Sequence, residues 1–330
     1  MKQKQISKNK WIRIIATYIV VGGMVAIFLF DITAVLLRNR LERQIPVAPE
    51  TLESDGDSTR FHFLNVYNGD SILLESRGQF ALIDSGWGSD NPIEAVRRPG
   101  TEQRVLDYLA RTAMNEDGII HLDFVLATHY HYDHVGGFPL ILNDPRVLVD
   151  RVFLPARPEN ELVRWYVPVF RQRIEEIALT RGFEVIETLP TEAFYLGDMR
   201  VQFLNTEHSP LRSENNNSIV TLAELDDFRA LLPGDIFADL EREIARQIGP
   251  IDLLQLPHHG YTLSSSAYFL RTLRPSLAIV SNFEGRVYPN VMWNLTFLRI
   301  PYLSTVTNNG IIVTVVENCQ FLVNGGLHLS

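Results

Sequence analysis

A chain of 330 residues, 46% hydrophobic and 21% charged, is long enough for one large domain or two ordinary ones and too apolar to be disordered. Its single cysteine, Cys319, excludes an internal disulfide framework and a cysteine-ligated metal cluster. The net charge of −9 hides a division: Lys2, Lys4, Lys8, Lys10 and Arg13 precede Ile14, and the rest of the chain sets 25 cations against 39 carboxylates. An acidic body argues against broad, non-specific nucleic-acid binding and leaves room only for a local basic groove.

Ile14 to Phe30 is uncharged, and apolar character resumes through Leu37 after Asp31. These 17 residues, or 24 with one acidic interruption, compare with the ~20 that cross a bilayer. Trp11 and Tyr18 stand toward the first end as interfacial aromatics. A cleaved signal peptide and a buried core helix are the alternatives; with no A-x-A-like cleavage site after the run and polar flanks on both sides, the sequence favours an uncleaved transmembrane helix, with residues 1–37 forming a basic cytoplasmic tail and anchor. Five cations on the N-terminal side, set against Asp31, Arg38, Arg40, Glu42 and Arg43 on the other, predict a single-pass membrane protein with its N-terminus inside and its body outside. Residues 38–59, polar with two prolines and an acidic, serine-rich end, read as a tether. Residues 60–330 form the body.

The body opens with three short β-rich runs, Phe61 to Val66, Ser71 to Glu75 and Phe80 to Ile83, split by turn signals. Thr101 to Thr112 has helical spacing. An apolar strand, Asp123 to Ala127, delivers the stretch ATHYHYDHVGGF at its C-terminal end, where open α/β sheets collect their sites. Arg151 to Leu154 is a strand and Glu159 to Thr180 a long helix kinked at Pro168. Strands return from Phe183 to Leu204. A hairpin, Ser218 to Leu232, ends in Pro233-Gly234-Asp235. The helix Ala238 to Ile248 leads to a buried strand, Asp252 to Leu256, ending in Pro257-His258-His259-Gly260. Ser264 to Leu273 is helical, Leu277 to Val280 a strand, and Ile311 to Val323 a closing hairpin. The order predicts a two-sheet sandwich with helices outside.

Within six residues His129, His131, Asp133 and His134 supply three imidazoles and a carboxylate, the donors a divalent cation such as zinc takes. His129 and His131, two apart in an extended segment, point the same way. Asp133 and His134 turn into the following helix, aimed back at the same point. The bland alternative is a histidine-rich surface loop, but the whole HxHxDH pattern after a buried strand and before Gly-Gly favours a metal site.

With these residues in view, the chain resembles the metallo-β-lactamase superfamily, and within it the hydrolase domain of ComEC-type DNA-uptake proteins. The likeness spans about residues 60 to 325. It is carried by FLNVYNGDSILL (Phe63 to Leu74), ALIDSG (Ala81 to Gly86), the HxHxDH stretch, NNNSIV (Asn215 to Val220), LLPGDI (Leu231 to Ile236), LPHHG (Leu256 to Gly260) and TVTNNGII (Thr305 to Ile312). The resemblance implies a four-layer αββα sandwich with a one- or two-metal site between the sheets. It implies two divalent ions, zinc or else manganese, bound by His129, His131, Asp133, His134, Asp235 and His259, with Asp235 bridging. His258 then faces substrate as a phosphate contact or leaving-group acid, the reverse assignment of His258 and His259 being the alternative. Many members of the superfamily carry a further metal-binding histidine where this chain has Asn215-Asn216-Asn217-Ser218. His208 is the nearby substitute, set against a loop histidine, while Asn215 and Asn216 suit a phosphate oxygen or water. Asp84 and Asp70 are expected to orient ligand histidines, with a turn aspartate as the alternative for Asp70. The Ser264 to Ser266 run is expected to cap the next helix, whose exposed N–H groups could also receive a substrate anion. His62, His121 and His328 are read as structural.

The resulting expectation is a membrane-anchored, extracytoplasmic metallo-hydrolase in which Asp133 helps hold a metal-bound hydroxide. Its substrate would be a phosphodiester, either DNA, which the acidic body does not favour, or a phosphorylated envelope polymer. β-Lactam or other ester and amide hydrolysis on the same fold is the alternative chemistry. A non-catalytic metal-holding module is the alternative class. No protein partner is expected.

Overall fold

The computed structural model describes residues 8–48, 56–90, 99–156, 166–207, 209, 212–316 and 320–325. His208, Cys319 and His328 lie outside the described residues, as does the expected start of the helix at Glu159. The chain divides into two compact units, Met1–Gln44 and Ile45–Ser330.

The first unit holds one helix, α1 (Lys8–Glu42). No helix among the described residues is long and apolar enough to cross a membrane, so the expected transmembrane helix is not found as such. Composition supplies the reason. The uncharged run of 17 residues stands at the lower limit of the ~17–25 that cross a bilayer. It also includes Thr17, Gly22 and Gly23 and stops at Asp31. Of the expected tether, residues 38–42 continue this helix, while Val47 bridges Val323 in parallel fashion as part of the second unit.

In the second unit, turn signals split the opening runs into β1 (Thr59–Phe63), β2 (Ile72–Ser76) and β3 (Gln79–Ile83), paired antiparallel in sequence. Next come α2 (Glu102–Thr112), β4 (Ile120–Leu126), the single turn α3 (Tyr132–Val135), α4 (Phe138–Asn143), β5 (Val147–Phe153), α5 (Tyr166–Arg181) and β6 (Glu184–Ile186). The chain continues through β7 (Phe194–Leu196), β8 (Met199–Leu204), β9 (Val220–Leu225), β10 (Phe228–Leu232), α6 (Ala238–Ile248), β11 (Leu253–Gln255) and α7 (Ala267–Leu273). It ends with β12 (Leu277–Val280), α8 (Pro289–Phe297), β13 (Tyr302–Ser304), β14 (Ile311–Val316) and β15 (Gln320–Gly325). The sequence reading placed no element at α8 or β13.

Two sheets result, in the orders β15-β14-β1-β2-β3-β4-β5-β6 and β13-β12-β11-β10-β9-β8-β7. Each has an antiparallel part, made of hairpins apart from the long-range β1–β14 pairing, and a parallel part made of crossovers, β3 to β6 in one and β10 to β13 in the other. Alternation decides which face each residue joins. Ile72, Leu74, Ala81 and Ile83 enter the core between the sheets, against Val201, Phe203, Ala230 and Leu253. Leu73 and Leu82 turn to the opposite face and pack with Val105, Leu109 and Ile174 of α2 and α5. Leu254 and Ala278 face outward from the second sheet toward Ile244, Phe269 and Val291 of α6, α7 and α8. This is the αββα layering expected from the sequence. The loops after β4, β10 and β11, each at a strand's C-terminal end, carry the site.

Candidate metal centre

β4 is buried along most of its length and ends at Leu126, so the next residues emerge at the sheet edge. His129 follows at a bend, and His131, in extended backbone, is the N-cap of the one-turn α3 that carries Asp133 and His134. Close approach explains the glycines after it: a Cβ on Gly136 would lie 2.3 Å from the Gly88 nitrogen and 2.5 Å from the Tyr132 oxygen. Asp235 comes off β10 after Gly234, whose φ is +59°. After β11, His258 and His259 both take left-handed backbone, φ 54° and 52°, an uncommon conformation for side-chain-bearing residues and one that clusters at functional sites.

These three loops converge on Asp235. Its Oδ1 lies 3.3 Å from His134 Nε2 and 3.4 Å from His259 Nε2, and its Oδ2 lies 3.7 Å from His129 Nε2. His259 Nε2 is also 3.5 Å from Asp133 Oδ2, and His129 Nε2 is 3.0 Å from His131 Nδ1. One set is therefore Asp133, His134, Asp235 and His259; the other is His129, His131 and Asp235. Asp70 offers an oxygen within 4.8 Å of donor atoms of His134, Asp235 and His259, a grouping that does not include Asp133. Asp70, however, stands behind the rings, 3.6 Å from His259 Nδ1 and 3.7 Å from His134 Nδ1, whereas Asp133 faces the Nε2 of His259. We therefore place Asp133 among the ligands and Asp70 as a support.

Charge and hydrogen bonding fit a cation. Asp235 Oδ1 is buried with no hydrogen-bond partner among the described residues. Burial opposes ionisation of Asp235, yet the surrounding His259 and His134 hold its carboxyl well below the usual carboxylate range. Burial likewise opposes charge on His134 and His259, but Asp235 with Asp84, and Asp235 with Asp70, hold them well above an ordinary imidazole. The carboxylates demand positive charge at the Nε2 edges, which a divalent cation would supply in place of the protons. Burial, with His134 and His131 nearby, pushes His129 well down, so its imidazole is neutral as a metal ligand must be.

The supporting residues sort out as follows. Asp84, fully buried, accepts from Thr128 N, Thr128 Oγ1 and His134 Nδ1 at 2.8, 2.7 and 2.7 Å, fixing His134 with Nε2 inward. Gln255 Nε2 donates to Asp70. Asn216 donates to Asp239 and accepts from Phe237 N at 2.7 Å, so it serves the start of α6 and is not open to a phosphate. Asn215 is buried in the same short turn. The expected serine run does cap α7, through Ser266, whose side chain accepts from Phe269 N. Ser264 itself donates to the Pro257 and Tyr261 carbonyls and braces the LPHHG loop. The N–H groups of Ser265 and Ser266, just before the helix, donate to the Glu241 carboxylate. His258 packs between the Phe237 and Tyr261 rings, half-buried, with Nδ1 3.3 Å from the Thr262 carbonyl; burial lowers it below an ordinary imidazole. His62 is buried between Tyr108 and Glu75, and His121 pairs with Asp150 at the surface.

The sequence reading missed Thr128, Ser218 and Gln255. All three lie inside or beside the quoted motifs, but uncharged side chains in strand-like runs give no signal of their own.

The rim beside the centre is aromatic and basic. Tyr67 and Phe283, both exposed, stack with centroids 6.2 Å apart. Arg104 lies over Tyr67 and Arg286 over Phe283, at 5.1 and 5.0 Å. Their loops touch the ligand loops directly: Asp70 N donates to the Asp133 carbonyl and Asn282 Nδ2 to that of His259.

A two-sheet αββα sandwich with a His/Asp cluster at its strand ends defines a class of metal-dependent hydrolase folds, and the chain belongs to the beta-lactamase superfamily, whose domain model matches residues 81–274. Within it, the chain is similar to ComE operon protein 3 of Bacillus subtilis, 24% identical over 290 residues and covering 80% of this chain. It is also similar to Recombination protein 2 of Haemophilus influenzae, 29% identical over 228 residues and covering 68% of this chain. The chain spans only 35% and 24% of the lengths of those relatives. Among solved structures, the metallo-beta-lactamase fold protein YhfI of Bacillus subtilis aligns with a TM-score of 0.49 at 12% identity, covering 75% of this chain and 96% of that one.

Proposed function

We propose that this protein is a phosphodiesterase that uses two divalent cations, held by the sets that share Asp235. The observation that carries the reading is the shared carboxylate itself. One buried aspartate presents Oδ1 to His134 and His259 and Oδ2 to His129, as a bridging ligand between two cations must. Such a pair of cations, when bound, supplies hydroxide at neutral pH and Lewis acidity toward a phosphoryl oxygen. Asp133 and Asp235 orient what lies between the sets, and Asp84 and Asp70 hold the imidazole rings. His258, with Nδ1 turned to the Thr262 carbonyl, presents Nε2 for a substrate oxygen.

A diester is favoured over an uncharged amide because Arg104 and Arg286 stand at the rim without an ion pair among the described residues. Likeness to a protein named for recombination puts DNA ahead of an envelope polymer; the acidic body restricts DNA to that local rim. We read zinc as the cation, with manganese as the alternative. We read α1 as the membrane attachment, because Ile15, Ile19, Met24, Phe28 and Leu36 expose apolar surface along it, and the charge asymmetry around it favours a body outside.

The test is metal analysis and turnover of the full chain in detergent. Two cations per chain, with hydrolysis of single-stranded DNA or methyl p-nitrophenyl phosphate that Asp133→Ala abolishes, support the reading. Two cations without turnover of any diester would leave a metal-holding module, and turnover of a β-lactam alone would move the substrate class. Membrane attachment is read separately, by partition into the membrane fraction and protease access from outside.

A further inference from the structure

Ser218 stands between the two halves of the weaker ligand set. It is fully buried, and its Oγ accepts from Asp235 N at 3.0 Å and lies 3.3 Å from His129 Nδ1. Gly234 makes this approach fit, since a Cβ there would stand 3.0 Å from both Ser218 Cβ and Oγ. The Ser218 backbone is fixed as well: its carbonyl accepts from Asn205 Nδ2 at 2.9 Å, and the next N–H donates to the Thr128 carbonyl.

The proton inventory gives the direction of the bonds. Thr128 Oγ1 donates its one proton to Asp84, which as a carboxylate only accepts. Thr128 Oγ1 also lies 3.1 Å from His129 Nδ1 and so must accept there. His129 therefore carries its proton on Nδ1, between the Thr128 and Ser218 hydroxyls, and turns the Nε2 lone pair toward His131 and Asp235. His134 differs. Its Nδ1 is held by the Asp84 carboxylate, a stronger acceptor that makes a ligating imidazole more basic. The set around His134 has four protein donors and the set around His129 has three.

We propose that Ser218 is a positioning residue that holds the His129 ring and the Asp235 backbone and so governs retention of the cation bound by His129, His131 and Asp235 far more than that of the other. The proposal rests on the two-cation reading above. Its chemical content is that one hydroxyl fixes both the ring of one ligand and the backbone of the shared one.

The experiment is calorimetric titration of the metal-free full chain in detergent with zinc, alongside metal analysis after gel filtration. The parent should show a tighter and a weaker event. Ser218→Ala should weaken the weaker event by about 10–100-fold, the usual effect of removing an outer partner of a metal ligand, and the tighter one, which shares only Asp235 with it, by much less. Equal weakening of both events marks Ser218 as merely structural, and no change in either removes its role; each overturns the proposal. A second measurement needs no variant: long-range proton–nitrogen spectra of the zinc-loaded parent should show His129 protonated on Nδ1, and protonation on Nε2 overturns it too. A parent that binds fewer than two cations defeats the two-cation reading and this proposal with it. A parent with two cations and an indifferent Ser218→Ala defeats this proposal alone.

Discussion

His134 Nδ1 donates to Asp84 Oδ2 at 2.7 Å, and the opposite nitrogen of the same ring lies 3.3 Å from Asp235 Oδ1. One buried carboxylate thus sets the tautomer of an imidazole that faces a second carboxylate, the arrangement by which an outer residue raises the basicity of a metal ligand. Asp84→Asn replaces one of its oxygens by an amide that cannot accept, in a group already taking three donors. We expect the tighter zinc event to weaken about 10–100-fold in calorimetry. Unaltered affinity would show that His134 is oriented by packing alone.

Among the described residues, Asp235 is the one side chain common to both sets. Asp235→Asn should weaken both zinc events together, whereas His131→Ala should weaken one. Titrating the two variants side by side checks the sharing directly, and separate losses in Asp235→Asn would contradict it.

Cation binding should stabilise the fold. A ligand present at 100 times its dissociation constant contributes about 2.7 kcal/mol, and each kcal/mol moves the melting temperature of a domain this size by roughly 2–4 °C. Removing metal with EDTA should therefore lower Tm by several degrees, and zinc should restore it. The readout is thermal unfolding by circular dichroism.

Glu241 is fully buried where its carboxylate receives the N–H groups of Ser265 and Ser266, and burial pushes it up to about 7. A folded-state pKa above the unfolded 4.5 means the native form binds the proton more tightly, so its contribution to stability is complete below about pH 4.5 and is lost as pH rises through about 7. The loss is on the order of 3 kcal/mol at most. Urea unfolding of the parent and of Glu241→Gln from pH 4.5 to 8 should show the parent losing stability relative to the variant; parallel curves would refute it.

Gly136→Ala tests the packing behind the ligand turn. The added methyl meets backbone of Gly88 and Tyr132, which cannot swing aside as a flexible side chain could. We expect α3 to shift, with zinc affinity falling more than overall stability, as read by calorimetry and melting together.

Much of the site was legible along the chain because its ligands are chemically loud. His129, His131, Asp133 and His134 lie within one turn of a strand end, and Asp235 and His259 end two other buried strands. The sandwich was legible for a related reason: strands alternate, helices repeat at their own period, and both patterns are local. The span of α1 was not settled by its apolar run, since 17 uncharged residues stand at the lower limit of a bilayer crossing.

What the sequence by itself determined is therefore which residue types can bind metal and which strands deliver them. The tertiary structure alone decided which nitrogen faces the cation, that Asp70 stands behind His259 while Asp133 stands before it, and that Asn216 and Ser264 serve loops. It also decided that Ser218 and Thr128 hold His129. These depend on ångström-scale contacts between residues as distant along the chain as Asp70 and His259, and hydroxyls and amides carry no periodicity that would announce them.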